Sequence, residues 1–297
     1  MAPLIAKLVY GLCFVGTLSP VLGTPLSSID SDGNDQSLLT QHENAAELWK
    51  EGSTGSDALY MDSTSSDADK SLLAPSWFTS TLMARRLLAL SSTGVVSTVF
   101  PNPLPDRSHA PPSVAGQSIS LKEYFADCDE ALPNDIGSGG NGDPTFLALR
   151  VATTFQNVAA GSNLSLSIDW WDHVNETRPV FPGFPLSEAG LPRVTLFGYI
   201  EEFEKPISLR TERALRECYT EKHHDSQVWL PGRPGSPHSS FWAKMVVTDI
   251  YWIGGFGGFQ QIGWMSVDEW KGIRRKSSLP GIGDGRGWED VRLPGEN

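Results

Sequence analysis

The sequence of 297 residues predicts a mainly β fold, an antiparallel barrel or sandwich that carries a few helical inserts. Several segments alternate apolar and polar residues with the period of two that is typical of half-buried strands. Only a few segments show the spacing of three and four that is typical of helices. Turn-forming residues separate these segments. An ordered domain is therefore expected over residues 75–273, a length that suits one domain.

The first half of this domain predicts a helix, three strands and a short helix between two of them. Residues 80–92, STLMARRLLALSS, carry leucine and methionine at helical spacing. Residues 94–101, GVVSTVFP, predict a short apolar strand closed by proline. Residues 145–152, TFLALRVA, and 163–171, NLSLSIDWW, alternate as strands do, around the short helix predicted over residues 153–161.

The second half predicts two more strands and two helices. Residues 192–203, PRVTLFGYIEEF, predict a strand in which Val194, Leu196 and Tyr199 mark one face. Residues 209–224 have the charge and spacing of a surface helix. Residues 240–258, SFWAKMVVTDIYWIGGFGG, give the longest strand signal, and residues 266–273, SVDEWKGI, begin a helix with a serine N-cap.

The glycines of residues 251–265, YWIGGFGGFQQIGWM, do not form a phosphate-binding loop. Gly255 and Gly257 supply half of a dinucleotide fingerprint, but Gln260 stands where the third glycine belongs. No lysine follows, as a P-loop requires. Neither phosphate-binding motif is therefore complete, and the role of these glycines has to be judged from the rest of the chain.

The two ends of the chain lie outside the predicted domain. Residues 1–23 combine Lys7, an apolar run and a small-residue site at Gly23, which predicts a cleaved signal peptide; a buried N-terminal helix is the alternative. Residues 24–74 hold ten acidic residues and two lysines, and predict a disordered acidic spacer. Residues 274–297 predict an irregular tail. No later segment approaches the roughly eighteen apolar residues of a membrane helix, so no membrane span is expected in the mature protein.

If the chain is exported, its cysteines can form a disulfide and its two Asn-x-Ser/Thr sequons can be glycosylated. Cys13 lies in the predicted signal peptide, which leaves Cys128 and Cys218 in the mature chain. These two either form one disulfide or stay as buried thiols, and the sequence leaves both alternatives open. Asn163 and Asn175 each begin an Asn-x-Ser/Thr triplet and are the expected glycosylation sites.

Several classes of function find no support in the sequence. The formal net charge of −12 without a basic patch argues against a nucleic-acid partner. Glu221, His223, His224 and Asp225 are close in sequence, but adjacent histidines point to different sides of a helix or strand, so no metal site is predicted. No nucleophile elbow, local signature of a catalytic thiol or pair of carboxylates on one face is found, and no catalytic residue is predicted.

Four segments, taken in order, resemble one protein family. Residues 84–99, ARRLLALSSTGVVSTV, and 145–171 are similar to the opening helix and the strand–helix–strand unit of the CREG-like branch of the split barrels related to pyridoxamine 5'-phosphate oxidase. Residues 191–203 resemble the next strand of that branch, and residues 218–258 resemble its ending, with a histidine turn, Trp-Leu-Pro and Gly-Phe-Gly-Gly. The resemblance covers residues 81–273.

This resemblance implies a six-stranded antiparallel split β-barrel that forms a homodimer. Known members of the branch are secreted or lysosomal glycoproteins. The resemblance also implies that the last strand bends and packs closely at a barrel corner, against buried Phe256 and Phe259. Four glycines would permit that bend: Gly254, Gly255, Gly257 and Gly258.

The resemblance also bears on cofactors. Flavin-binding relatives hold the phosphate of FMN with basic residues and hydroxyls of the strand–helix unit. The matching residues here are Arg150, Thr153 and Thr154, but the cluster of serine, arginine and lysine used by those relatives is missing. A haem would need an axial ligand, for which the histidine candidates are His223, His224 and His238.

The leading hypothesis is a secreted CREG-like glycoprotein without cofactor or catalytic activity, which acts by binding a protein or receptor. An FMN-dependent oxidoreductase or flavin-binding protein that uses Arg150, Thr153 and Thr154 is the alternative. A haem-binding split barrel is the third hypothesis. Either the extracellular space or a vacuole or lysosome fits the export signal.

Overall fold

A computed structural model of the chain describes residues 74–106, 108–133, 140–180, 185–256, 259–276 and 283–296. The predicted signal peptide and all but the last residue of the predicted acidic spacer lie outside these residues. Within the described ranges, no helix has the length and apolar character needed to cross a membrane.

The described ranges contain seven strands and four α-helices. The strands are β1 (Thr93–Val99), β2 (Ser118–Tyr124), β3 (Thr145–Leu149), β4 (Leu164–Asp169), β5 (Arg193–Glu202), β6 (Ser240–Ile253) and β7 (Ile262–Trp264). The helices are α1 (Trp77–Leu90), α2 (Thr153–Ala159), α3 (Leu209–Lys222) and α4 (Val267–Gly272). The predicted helices and the strands β1, β3, β4, β5 and β6 are confirmed.

The strands form one antiparallel sheet that curls into a split barrel. Six strands follow the order β2-β1-β4-β5-β6-β3, and β7 pairs with the end of β6. The two outer strands meet where the backbones of Ala126 and Thr145 exchange hydrogen bonds of 3.0 and 2.8 Å. The predicted six-stranded antiparallel split barrel is confirmed, and its split lies between β2 and β3.

Strand β6 contributes side chains to two cores over its first half. Phe241, Ala243 and Met245 point into the main core, as their alternation predicts. Trp242 points the other way and joins a second cluster with Leu215 and Tyr219 of α3. Because one strand serves two cores, α3 is held against the outside of the barrel.

A disulfide supports this second cluster. Cys128 and Cys218 are bonded, with Cα atoms 5.8 Å apart and a separation of 90 residues along the chain. The bond ties the segment after β2 to α3. Of the two alternatives that the sequence leaves open for these cysteines, the structure has the disulfide.

One face prediction in β5 is wrong. Val194 and Leu196 are buried, but Tyr199 is 45% exposed. The register shifts where Phe197 pairs with Asp249 and Gly198 pairs with Val247, which leaves Thr248 of β6 as the extra residue. The bulge therefore lies on β6, and β5 keeps its strict alternation, which turns Tyr199 outward.

The glycine-rich segment forms a hairpin loop and not the predicted corner within the strand. β6 ends at Ile253, the Gly254 N–H donates to the Gln261 carbonyl at 3.0 Å, and β7 pairs back on β6. Gly255 has φ +137°, and an added Cβ there would lie 2.7 Å from the Gly190 carbonyl oxygen. The interpretation of these glycines as residues needed for shape is confirmed at Gly255. Phe256 and Phe259 are half-buried instead of buried, and Gly257 and Gly258 lie outside the described residues.

Two strands, β2 and β7, are not predicted from the sequence. β2 lies at the edge of the sheet, so its residues are half-buried or exposed and its pattern is weak. β7 has only three residues, which is too short for a clear alternation.

The described part of the C-terminal segment packs onto the domain. Residues 283–296 contain little regular structure, but Trp288, Val291 and Leu293 are buried, and Arg86 binds the carboxylate of Glu296.

Candidate functional site

The residues predicted to hold a flavin phosphate surround the turn between β3 and α2. Arg150 follows β3 directly, and its backbone N–H donates to the Ser239 carbonyl at 3.0 Å. Thr153 is the first residue of α2 and is half-buried, whereas Thr154 is 1% exposed. The fold thus brings the three residues together at one corner of the barrel.

The hydroxyl of Thr154 is already bound to a carboxylate. It donates to Glu123 Oε1 of β2 at 2.6 Å. Burial raises the pKa of Glu123, while the hydrogen bond from Thr154 lowers it in part. The hydroxyl predicted to bind a phosphate is therefore bound to a half-buried acid.

Arg150 is also engaged by an acid. Its guanidinium lies 3.3 Å from Glu202 Oε1 of β5, and it stacks over the ring of Phe241 at 4.4 Å. About half of the Arg150 side chain remains exposed, so this ion pair is weak.

These contacts do not fit the phosphate of a flavin. A dianionic phosphate needs several charge-assisted donors before it leaves water. Here Glu123 would lie beside it, and like charges at such a distance repel each other. The Thr154 hydroxyl already donates to the carboxylate of Glu123, and the Arg150 guanidinium already pairs with that of Glu202. The residues that are present thus disfavour FMN at this position.

Next to this corner, the split in the barrel wall contains a cavity of about 210 Å³, which we call the split cavity. Antiparallel pairing continued from the Ala126–Thr145 bridge would place Tyr124 opposite Leu147 and Lys122 opposite Leu149. β2 and β3 do not pair there. Six of the residues that line the resulting space are Glu123, Tyr124, Leu149, Phe155, Tyr219 and Trp229.

Tyr219 of α3 lines the split cavity. Its hydroxyl donates to the Tyr124 carbonyl at 3.2 Å and accepts a hydrogen bond from the Leu147 backbone N–H. Burial raises the pKa of the phenol, and the carboxylates of Glu123 and Asp225 raise it further. The phenol thereby stands where a direct hydrogen bond between β2 and β3 would otherwise form.

The histidines proposed as haem ligands do not meet in one pocket. His223 is buried, with Nε2 2.9 Å from the Phe125 carbonyl and its ring stacked on Tyr124 at 4.3 Å. His224 and His238 are exposed. None of the three lines the split cavity. Among the described residues, no three His, Cys, Asp or Glu side chains form a group that could hold a metal ion.

A wider cleft of about 690 Å³ lies beside the disulfide. Glu217 and Glu221 of α3 line it together with Lys222 and Arg275, and Trp288 forms part of its wall. Acidic and basic side chains are mixed there, so this cleft favours no single class of ligand.

The profile of a family described as "CREG, beta-barrel" matches residues 78–271, which is more than half of the chain. No curated protein matches the chain.

Solved structures match at low identity. A haem-binding protein from Mycobacterium smegmatis is 15% identical, with 67% of this chain and 61% of that protein covered and a TM-score of 0.43. An FAD-binding protein from Mesorhizobium loti is 15% identical, with 57% and 90% covered and a TM-score of 0.34. The haem storage protein HutZ from Vibrio cholerae is 9% identical, with 58% and 92% covered and a TM-score of 0.34. The chain thus spans less than two thirds of the length of the Mycobacterium protein.

Proposed function

The chain belongs to the CREG β-barrel family, and on that premise we propose that it is an exported, N-glycosylated protein that acts by binding and not by flavin catalysis. One observation carries this proposal. The hydroxyl and the guanidinium that a flavin phosphate would need are engaged by Glu123 and Glu202. A site that presents carboxylates repels the phosphate of the cofactor on which the related oxidoreductases depend.

Export is supported by three independent features. Residues 1–23 have the pattern of a signal peptide. The disulfide between Cys128 and Cys218 is a bond that persists in oxidising compartments. Asn163, which begins a sequon, is exposed in the loop before β4, where a glycan would find room.

A homodimer is part of the proposal. On the outer face of the sheet, Trp264 is 62% exposed and Ile262 is 40% exposed. The ring of Phe197 lies 5.6 Å from that of Trp264, and the ring of Tyr251 lies 5.1 Å from it. An exposed tryptophan beside half-buried aromatic rings is typical of surfaces that associate.

An absorption spectrum tests the proposal most directly. The full chain, secreted from a eukaryotic host, is measured before and after it is soaked with FMN and with haemin and then desalted. We expect neither a flavin band nor a Soret band to stay with the protein. Retention near one FMN per chain would overturn the proposal and favour the flavin-dependent alternative, and a retained Soret band would favour the haem-binding one.

If flavin is retained, one variant tests the residue assignment. Arg150→Ala removes the cation that would hold the phosphate, and Arg213→Ala removes a matched exposed arginine of α3 that pairs with Glu217. Loss of flavin in the first variant alone would assign the phosphate to Arg150. Equal retention in both would place the flavin elsewhere.

A further inference from the structure

Glu123 contributes a carboxylate to the split cavity that has no counter-ion among the residues that the structure describes. Oε1 accepts the hydrogen bond from Thr154, and no lysine, arginine or histidine there lies within ion-pair distance. Burial accordingly raises the pKa of Glu123. Glu123 is half-buried, and a carboxylate that is partly withdrawn from water is stabilised by a partner that supplies positive charge.

Four aromatic side chains line the split cavity, together with aliphatic residues such as Leu147 and Leu149. Phe155 contributes from α2, Tyr219 from α3 and Trp229 from the turn that follows α3, and Tyr124 lies at the edge of β2. Aromatic rings attract alkylammonium groups through their quadrupoles, and more strongly where water is displaced. A carboxylate within aromatic walls is thus a combination that favours an organic cation over a neutral or anionic group.

The charged residues around the split cavity do not cancel this preference for an organic cation. Lys122 lines the cavity, but its Nζ pairs with Asp172 at 3.1 Å, and Arg150 pairs with Glu202. Asp225 accepts a hydrogen bond from the Tyr124 hydroxyl at 3.3 Å and adds a second negative charge close by. His223 stacks on Tyr124 outside the cavity. Each of the two nearby cations thus has a carboxylate partner in a weak, exposed pair, whereas neither Glu123 nor Asp225 has an ion-pair partner among the described residues.

The size of the split cavity limits the ligand. Its volume of about 210 Å³ is below the roughly 300–1,000 Å³ of pockets that hold drug-sized molecules. We propose that the split cavity binds an alkylammonium head group, with Glu123 as counter-ion and with Phe155, Tyr219 and Trp229 as walls. The inference rests on the proposed binding function and names the class of ligand.

Titration calorimetry on the full secreted chain tests this inference. The probe is butylammonium chloride, with 1-pentanol as a neutral ligand of similar size and sodium butyrate as an anion. We expect butylammonium to bind and the other two to bind at least about tenfold more weakly. Equal binding of 1-pentanol, or no binding of butylammonium at millimolar concentration, would overturn the inference.

Two variants assign the site. Glu123→Gln removes the charge but keeps an oxygen for the Thr154 hydroxyl, and it should weaken butylammonium binding at least about tenfold. Glu188→Gln removes an exposed carboxylate that does not line the cavity and should leave binding unchanged. Equal loss in both variants, or none in the first, would contradict the assignment, provided that circular dichroism shows both variants to be folded.

Binding should also weaken as the pH falls through the raised pKa of Glu123, because the protonated acid carries no charge. The flavin experiment is independent of this one. A wild-type chain that retains FMN defeats the proposed function. A chain that retains no FMN and also fails to bind butylammonium defeats only the present inference.

Discussion

The hydroxyl of Tyr219 lies 3.2 Å from the carbonyl oxygen of Tyr124 and donates a hydrogen bond to it. The same hydroxyl accepts from the Leu147 N–H on the opposite strand. A side chain of α3 therefore links β2 to β3 at the place where the barrel wall divides. This link couples the packing of α3 to the width of the split.

Tyr219→Phe should destabilise the protein. The substitution leaves the ring in place but removes the hydrogen-bond partner of two backbone groups in a partly buried setting, which costs about 1–3 kcal/mol. Urea unfolding followed by circular dichroism measures the change. Tyr199→Phe, which removes a hydroxyl from a tyrosine 45% exposed, should change stability by less than about 0.5 kcal/mol. An equal effect of the two variants would contradict the structural role of the Tyr219 hydroxyl.

Removal of the disulfide should have a larger effect. The bond closes a loop over a separation of 90 residues, for which chain entropy predicts about 4–5 kcal/mol. The double variant Cys128→Ala/Cys218→Ala is compared with the wild type in urea under non-reducing conditions, and with the wild type under dithiothreitol. A loss below about 1 kcal/mol in both comparisons would show that the bond contributes little to the stability of the fold.

Asp143 should make stability depend on pH. Burial raises its pKa from 3.8 to about 6, while the hydrogen bond from the Val247 N–H lowers it in part. The pKa of Asp143 is therefore higher in the folded state than in the unfolded state. The contribution of Asp143 to the free energy of unfolding is fully present below about pH 3.8 and is lost as the pH rises through about 6.

Asp143→Asn imitates the protonated acid. At pH 7.5 we expect it to be more stable than the wild type by up to about 3 kcal/mol, and the difference should shrink toward pH 4. Asp249→Asn, at an exposed position of β6, is the matched control. A pH-independent difference between Asp143→Asn and the wild type would show that the charge of Asp143 is not its cause.

Gly255 should tolerate no side chain. Gly255→Ala would hold a Cβ 2.7 Å from the Gly190 carbonyl oxygen at φ +137°, and strain of this kind costs about 1–3 kcal/mol before the clash is added. Gly232 also has a positive φ, of +70°, but nothing lies within 4 Å of its added Cβ. Thermal unfolding of the two alanine variants separates the clash from the backbone strain, and equal losses would rule out the clash.

Asn163 should carry a glycan. Its side chain is exposed at the end of the loop before β4. Asn163→Gln should therefore lower the mass of the secreted protein by one glycan, as seen by mass spectrometry with and without peptide N-glycosidase. Asn175→Gln is measured beside it, and an unchanged mass for Asn163→Gln would contradict the prediction.

The sequence by itself determined much of the barrel. The helical spacing of leucines predicted α1, and the alternation along residues 240–253 predicted β6, because local periodicity states which face of an element is buried. β2 was missed, since a strand at the edge of a sheet buries neither face fully. The position of the bulge in β6 was also missed, because a bulge depends on the register between two strands and not on either strand alone.

The candidate site was likewise predicted from the sequence only in part. Arg150, Thr153 and Thr154 are neighbours in the chain, so a sequence pattern could single them out. Glu123 lies 31 residues from Thr154, and Glu202 lies 52 residues from Arg150. Only the pairing of strands brings these carboxylates to the basic and hydroxyl groups. Because electrostatic interactions depend on distance in space and on burial, the tertiary structure decided the charge that this corner of the barrel presents to a ligand.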